Sequence, residues 1–317
     1  MNEVKYKIGI DIGGTNIKMG VVNDKNEIIA KKSIKTDVKL GYIKIIKNMA
    51  NAIKELLYLH KIDLNNCISI GIGCPGTVNF KTGEILFAAN LLWEGVPLAE
   101  ELKKNIDLPI KVSNDANCAA LGEAIAGGAK GVHNMVLITL GTGVGGGVII
   151  DGKIYEGGSP GGVELGHTVL VVDGEQCTCG RKGCFEAYAS ATALIRDTKR
   201  AAEKNPNSLI NELCSKNLSK INGLTPFEAA RLGDEEGIAI IDRYIMHLAE
   251  GIIDIVNIFR PEKILLSGGI ANQGDALIEP LKKYVKKYTF AGDKIHVADI
   301  KQATLGNDAG IIGAANL

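Results

Sequence analysis

Apolar and polar positions along the 317-residue chain change period from block to block. The run IGIDIGGTNIKMGVV (8–22) reads as a β-branched strand, a Gly/Thr turn and a second strand. VLITLGTGVGGGVII (136–150) repeats that construction. Two hairpins of one design suggest two related halves, each with a phosphate-binding turn, although two unrelated β-hairpins of an α/β protein would read the same. Between them, Ile43, Ile46, Met49, Ile53, Leu56 and Leu57 recur near helical spacing, which predicts an amphipathic helix within 41–61. ISIGIG (68–73) predicts a buried strand running into Pro75-Gly76. Helices are predicted over 185–203, 226–232 and 235–258, then a strand KILLSG (263–268) and a helix around 273–287. The tail GNDAGIIGAANL reads as a short helix that returns to the first half. The Gly- and Cys-rich stretch 157–184 suits a structured loop.

Composition narrows the class without naming it. Apolar residues at 46% and charged residues at 23% are ordinary for a globular chain. With 36 basic and 36 acidic residues, the net charge offers no support for nucleic acid or a membrane surface as the main partner. No apolar run reaches the roughly 18 residues that span a bilayer. The start, MNEVKYKIGIDIGG, lacks the layout of a secretory leader. A cytoplasmic protein is expected. Seven cysteines, three of them at 177, 179 and 184, fit a metal cluster in a reducing compartment better than a disulfide framework.

Four segments carry candidate chemistry. In Asp11-Ile12-Gly13-Gly14-Thr15-Asn16, glycines let backbone N–H groups approach a polyphosphate, Thr15 adds a hydroxyl, and Asp11 is placed to hold Mg²⁺ through water. Gly141-Thr142-Gly143 follows the same logic. Neither turn has the Walker or the dinucleotide context. In Val112-Ser113-Asn114-Asp115-Ala116-Asn117 the strand-like LPIKVS (108–113) delivers two amides and a carboxylate to one spot ahead of a helix start. A carboxylate there can take the proton of an attacking alcohol during phosphoryl transfer; capping of the helix by Asn114 or Asp115 is the plainer alternative. His167, Cys177, Cys179 and Cys184 supply one imidazole and three thiolates, enough to close a tetrahedral zinc site with no open position. Such a site would be structural, bracing a loop that also carries Glu164 and Glu186. Those two acids suit sugar hydroxyls, with plain solvated surface as the alternative.

Taken together, DIGGTNIK (11–18), NDANCAALGE (114–123), LGTGVGGG (140–147), ELGH (164–167), CTCGRKGCFE (177–186) and LSGGI (266–270) resemble the ROK family of sugar kinases. The resemblance covers nearly the whole chain. It implies an α/β, two-domain, actin-like ATPase (ribonuclease H-like) fold with a structural zinc loop. The expected division is a smaller N-terminal domain, 1–118 plus 304–317, and a larger domain, 119–303, bearing that loop. Carried over by position, Asp115 is the expected catalytic base. Gly76, Asn90, Asn114, Asp115, Glu164, His167 and Glu186 are expected at the sugar. Asp11, Gly13, Gly14, Thr15, Asn16, Lys18, Gly141, Thr142, Gly143, Gly268 and Gly269 are expected at ATP. The resemblance also implies a homodimer. NLLWEGVPL (90–98) most resembles the glucose-phosphorylating branch, so ATP-dependent phosphorylation of glucose at its 6-hydroxyl is expected, with another hexose or an N-acetylhexosamine as the alternative. The family also contains sugar-responsive repressors with a helix-turn-helix module ahead of the first phosphate motif. Only ten residues precede Asp11 here, so a kinase is the expectation.

Overall fold

A computed structural model describes residues 5–317; the first four residues on which the leader reading also rests lie outside them. In chain order, β1 (Tyr6–Ile12), β2 (Asn16–Val22) and β3 (Ile28–Lys35) precede α1 (Tyr42–Leu59). Next come β4 (Cys67–Cys74), β5 (Thr77–Asn79), β6 (Glu84–Ala88) and β7 (Trp93–Val96), then α2 (Leu98–Lys103), β8 (Ile110–Asn114) and α3 (Asp115–Ala126). The strands β9 (Met135–Leu140), β10 (Val144–Ile150) and β11 (Lys153–Ile154) lead into a long irregular segment. It ends at α4 (Glu186–Ala189), followed by α5 (Ala191–Lys204), α6 (Leu209–Leu213), α7 (Thr225–Arg231) and α8 (Glu235–Phe259). The chain closes with β12 (Lys263–Ser267), α9 (Asp275–Tyr288), β13 (Asp299–Gln302) and α10 (Ala309–Ala315).

The chain divides into two compact units. The first comprises the described residues up to Leu137, with Gly147–Val163 and Ala303–Leu317; the second comprises Ile138–Gly146 and Glu164–Gln302. The first unit is built on a sheet of order β3-β2-β1-β4-β8. β1 runs antiparallel to β2, with Asp11 opposite Lys18, and parallel to β4, which in turn pairs parallel with β8 as far as Cys74 opposite Asn114. The period of two holds along the hairpin: Ile8, Ile10, Ile12, Ile17, Met19 and Val21 are all fully buried. α1 closes one layer of this core with Ile46, Met49, Ile53, Leu56 and Leu57, as its spacing predicts; the expected Ile43 is exposed (63%), and Ile45 is buried in its stead. A small antiparallel meander of order β5-β6-β7 carries Asn90 in the 3₁₀ turn between its last two strands. The tail helix α10 does pack on the first unit. A Cβ at Gly71 of β4 would lie 1.6 Å from the Ala314 carbonyl oxygen, and one at Gly313 would lie 1.6 Å from that of Cys118 in α3. Backbone therefore touches backbone where α10 meets the sheet and where it meets α3.

A second sheet has the order β11-β10-β9-β12-β13. In the second unit α8 buries Ile240, Tyr244, Leu248, Ile252 and Val256 along one face, the i, i+4 stripe of a core helix. Phe185, fully buried, packs against Gly251 of that helix, and Tyr244 Oη donates to the Ala189 carbonyl at 2.7 Å. One expected helix is corrected: 185–203 is not continuous. Ser190 takes extended backbone and its hydroxyl accepts from Ala193 N, so it ends α4 and caps α5. Among the described residues, no helix is long and apolar enough to cross a membrane.

Because Gly71 meets backbone rather than a movable side chain, Gly71→Ala is expected to destabilise the protein by about 3 kcal/mol or more. A denaturant-unfolding midpoint within error of the parent would refute this account of the α10 contact.

Candidate active site and metal centre

The first unit gathers its expected site residues at the carboxyl ends of β1, β4 and β8. The turn after β1 is closed by Gly13 N donating to Asn16 O at 2.9 Å and by Thr36 Oγ1 donating to Gly13 O at 2.6 Å. Gly14 and Asn90 are neighbours: a Cβ at Gly14 would lie 3.5 Å from that of Asn90. Gly76 sits at φ 96, where its missing side chain makes room for the Phe87 carbonyl. Lys18 Nζ donates to Asn307 Oδ1 at 3.0 Å, reaching toward the segment ahead of α10.

Asn114 resolves the capping question left open by the sequence. Its Oδ1 accepts from Ala116 N at 2.8 Å and Asn117 N at 3.3 Å, and its Nδ2 donates to Gly76 O at 3.1 Å. Asn114 is thus the N-cap, and Asp115 is the first residue of α3, its Oδ1 also accepting from Ala116 N at 2.9 Å, where the helix dipole favours a carboxylate. Asp115 and Asp11 feel one another electrostatically. Burial raises the Asp11 carboxyl above the usual range, the Asp115 charge raises it further, and Lys18 only partly offsets both. Behind the two acids lie the fully buried thiols of Cys74 and Cys118, pushed up by burial and by both carboxylates.

The second unit gathers the other set. Gly141 N donates to Gly143 O at 3.0 Å, closing the second turn. Thr192 Oγ1, at the start of α5, donates to Thr142 O at 2.7 Å. Gly268, at φ 92, lies against Leu140, with Gly269 next to it. Glu186 ties this turn to the cysteine loop: Oε2 accepts from Val144 N at 3.2 Å, and Oε1 accepts from Thr178 Oγ1 at 2.6 Å. Thr178 and Thr192 were missed by sequence reasoning; the break at Ser190 that aims α5 at the turn was the available signal. Glu164 is exposed and precedes the short 3₁₀ turn carrying His167. Val163 before it holds φ 66, a left-handed conformation rare for a β-branched residue and costing about 1–3 kcal/mol.

His167, Cys177, Cys179 and Cys184 converge, their ligand atoms all within 4.8 Å of one another. Cys179 and Cys184 sulfurs are 3.7 Å apart, as are Cys177 Sγ and His167 Nδ1. A tetrahedral zinc with bonds of about 2.3 Å to sulfur requires sulfurs about 3.8 Å apart, so the donor set fits that metal. Burial pushes the Cys184 thiol up to about 12 and raises Cys177, whereas a backbone N–H from Arg181 lowers exposed Cys179. Gly180 and Gly183 turn the loop at φ 90 and 84.

Parallel strands ending in two Gly/Thr hairpins, with acids at their carboxyl ends, define an actin-like ATPase fold. The chain belongs to the ROK family, whose model matches residues 7–317. It is similar to a glucokinase of Halalkalibacterium halodurans, 37% identical over 98% of this chain and 93% of the relative. Among solved structures it resembles a ROK family glucokinase from Streptomyces griseus in complex with glucose and AMPPNP. That likeness has a TM-score of 0.81, 33% identity and coverage of 98% of each chain. It also resembles a ROK hexokinase from Thermus thermophilus, with TM-score 0.83, 28% identity and coverage of 98% and 96%.

Two outcomes are expected. Asp11 has a folded pKa above its unfolded value, so its stabilising contribution is confined to acid and is lost as pH rises through the folded pKa. In the ligand-free protein Asp11→Asn should therefore raise Tm by a few degrees at neutral pH, a gain that fades as pH falls through the folded pKa and is gone below about pH 4. A lower Tm at neutral pH would contradict the charge argument. Metal analysis should find about one zinc per chain, and Cys179→Ala should lose it. Metal-free purified protein would remove the zinc assignment.

Proposed function

We propose that the protein is a glucokinase that transfers the γ-phosphate of ATP to the 6-hydroxyl of glucose. The observation that carries the reading is Asp115 at the first position of α3, beside Asp11, in a chain that belongs to the ROK family. The relatives named glucokinase support glucose as the acceptor.

Asp115 takes the proton of the sugar hydroxyl as that oxygen attacks phosphorus. Asn114 holds it there by capping α3 and by gripping the Gly76 carbonyl. Asn90, Gly76, Glu164, His167 and Glu186 bind the sugar, His167 doing so through the nitrogen not given to metal. Gly13 and Gly141 N–H groups are already used to close their turns, so the amides of Gly14, Thr15, Thr142 and Gly143 face phosphate. Asn16, Lys18, Gly268 and Gly269 complete the nucleotide contacts. Mg²⁺, when bound, balances phosphate charge, and Asp11 would hold it through water. Zinc at the cysteine loop is structural and keeps Glu186 and His167 in place. The same reading includes a homodimer and a cytoplasmic location, both resting on the family likeness.

The test is ADP release with Mg-ATP, comparing no sugar with glucose, mannose, fructose, N-acetylglucosamine and N-acetylmannosamine. Glucose is expected to be preferred; preference for another sugar would keep the kinase and replace the acceptor, and no sugar-dependent release would overturn the reading. Asp115→Asn is expected to lower kcat by at least about 10³-fold while glucose Kd stays within about threefold. Turnover near that of the parent would reject Asp115 as base.

A further inference from the structure

Asp115 stands one residue beyond the end of β8, and β8 is the edge strand of its sheet, with a ladder on one side only. Its last paired residue is Asn114, opposite Cys74. The residue just before, Ser113, is almost wholly buried (2% exposed), and its hydroxyl donates to Glu156 Oε1. Glu156 stands two residues beyond β11 and is half-buried. Its backbone is anchored next door, where Tyr155 N donates to Val148 O at 2.8 Å. Immediately after it runs Gly157-Gly158-Ser159-Pro160-Gly161-Gly162, which has no regular structure of its own. Burial raises the Glu156 carboxyl and the Ser113 hydroxyl pulls it back down, as expected of a bond made to the carboxylate.

We propose that Glu156 is a positioning residue for Asp115, acting through Ser113. The bond ties the end of the strand that delivers the base to the stem of the glycine-rich loop. The unsupported side of β8 thereby gains the restraint that a neighbouring strand would supply elsewhere. A base displaced by a fraction of an ångström loses alignment with its proton, so a tie of this kind acts on kcat rather than on affinity. The pair also lines an open cavity of about 350 Å³ with Phe80, Lys111 and Lys153. Truncating Glu156 therefore leaves space that water can enter, and the variant is expected to fold.

The inference rests on the reading of Asp115 as base. Glu156→Ala should lower kcat about tenfold (about 1.4 kcal/mol) with KM for glucose within about twofold. Glu156→Gln should recover to within about twofold of the parent, because its amide oxygen accepts the same hydroxyl proton. Ser113→Ala should copy Glu156→Ala, and the double variant should be no worse than either single one. Parental kcat in Glu156→Ala, no rescue by glutamine, or additive losses in the double variant would each overturn the proposal. Hydrogen exchange gives a readout independent of turnover: amides of 113–117 should exchange faster in Glu156→Ala. If the parent shows no sugar-dependent ADP release, the kinase reading fails with the catalytic half of the proposal, while unchanged exchange overturns the tie itself.

Discussion

The first unit depends on how closely α10 lies against β1, β4 and α3. Glycines at 9, 71, 122 and 313 remove the side chains that would hold these backbones apart; a Cβ at any of them would come within 2.1 Å of a carbonyl oxygen. Several of the unit's candidate site residues hang on those elements. β1 ends at Asp11 and the first turn, β4 runs into Gly76, and α3 begins at Asp115. Glu123 fastens the same assembly from below: fully buried, it accepts from Gly128 N, Thr304 N and Leu305 N. A buried carboxylate so supplied with donors is held in one place, and it locks the start of the C-terminal segment to the helix that carries Asp115.

The second unit solves a different problem. A loop of more than twenty residues with almost no regular structure carries Glu164 and His167 and leads into Glu186 at the start of α4. The cysteine cluster closes the loop on itself, Tyr188 Oη accepts from Glu175 N at 2.7 Å, and Phe185 anchors its end on α8. Glu186 then accepts from Val144 N and Thr178 Oγ1, so the second Gly/Thr turn and the cysteine loop share one side chain. A change in either is felt by the other through that carboxylate.

Much of the architecture was legible before any coordinates. The two Gly/Thr hairpins, the helix at 42–59, the buried strand at 67–74 and the long helix at 235–259 follow from period and punctuation, because each buries one face or both over a sustained run. The short strands β5, β6, β7, β11 and β13 were not read, since two to five residues carry too little alternation to distinguish a strand from a loop. The continuous helix expected over 185–203 failed at Ser190 because a helical composition on both sides hid a single N-cap.

By itself the sequence determined the donor chemistry: one imidazole and three thiols at loop spacing, acids beside glycine turns, and an Asn-Asp pair at a strand-to-helix junction. Those are properties of residue type and local order, which survive in one dimension. Only the tertiary structure decided that Asn114 reaches the Gly76 carbonyl 38 positions earlier, and that the Asp11 and Asp115 carboxylates sit close enough to disturb one another. It also decided that Glu156 reaches the Ser113 hydroxyl 43 positions earlier in the chain. Hydrogen bonds and charge interactions act over a few ångströms of space, and the separation of two residues along a chain says nothing of that distance until the fold has brought them together.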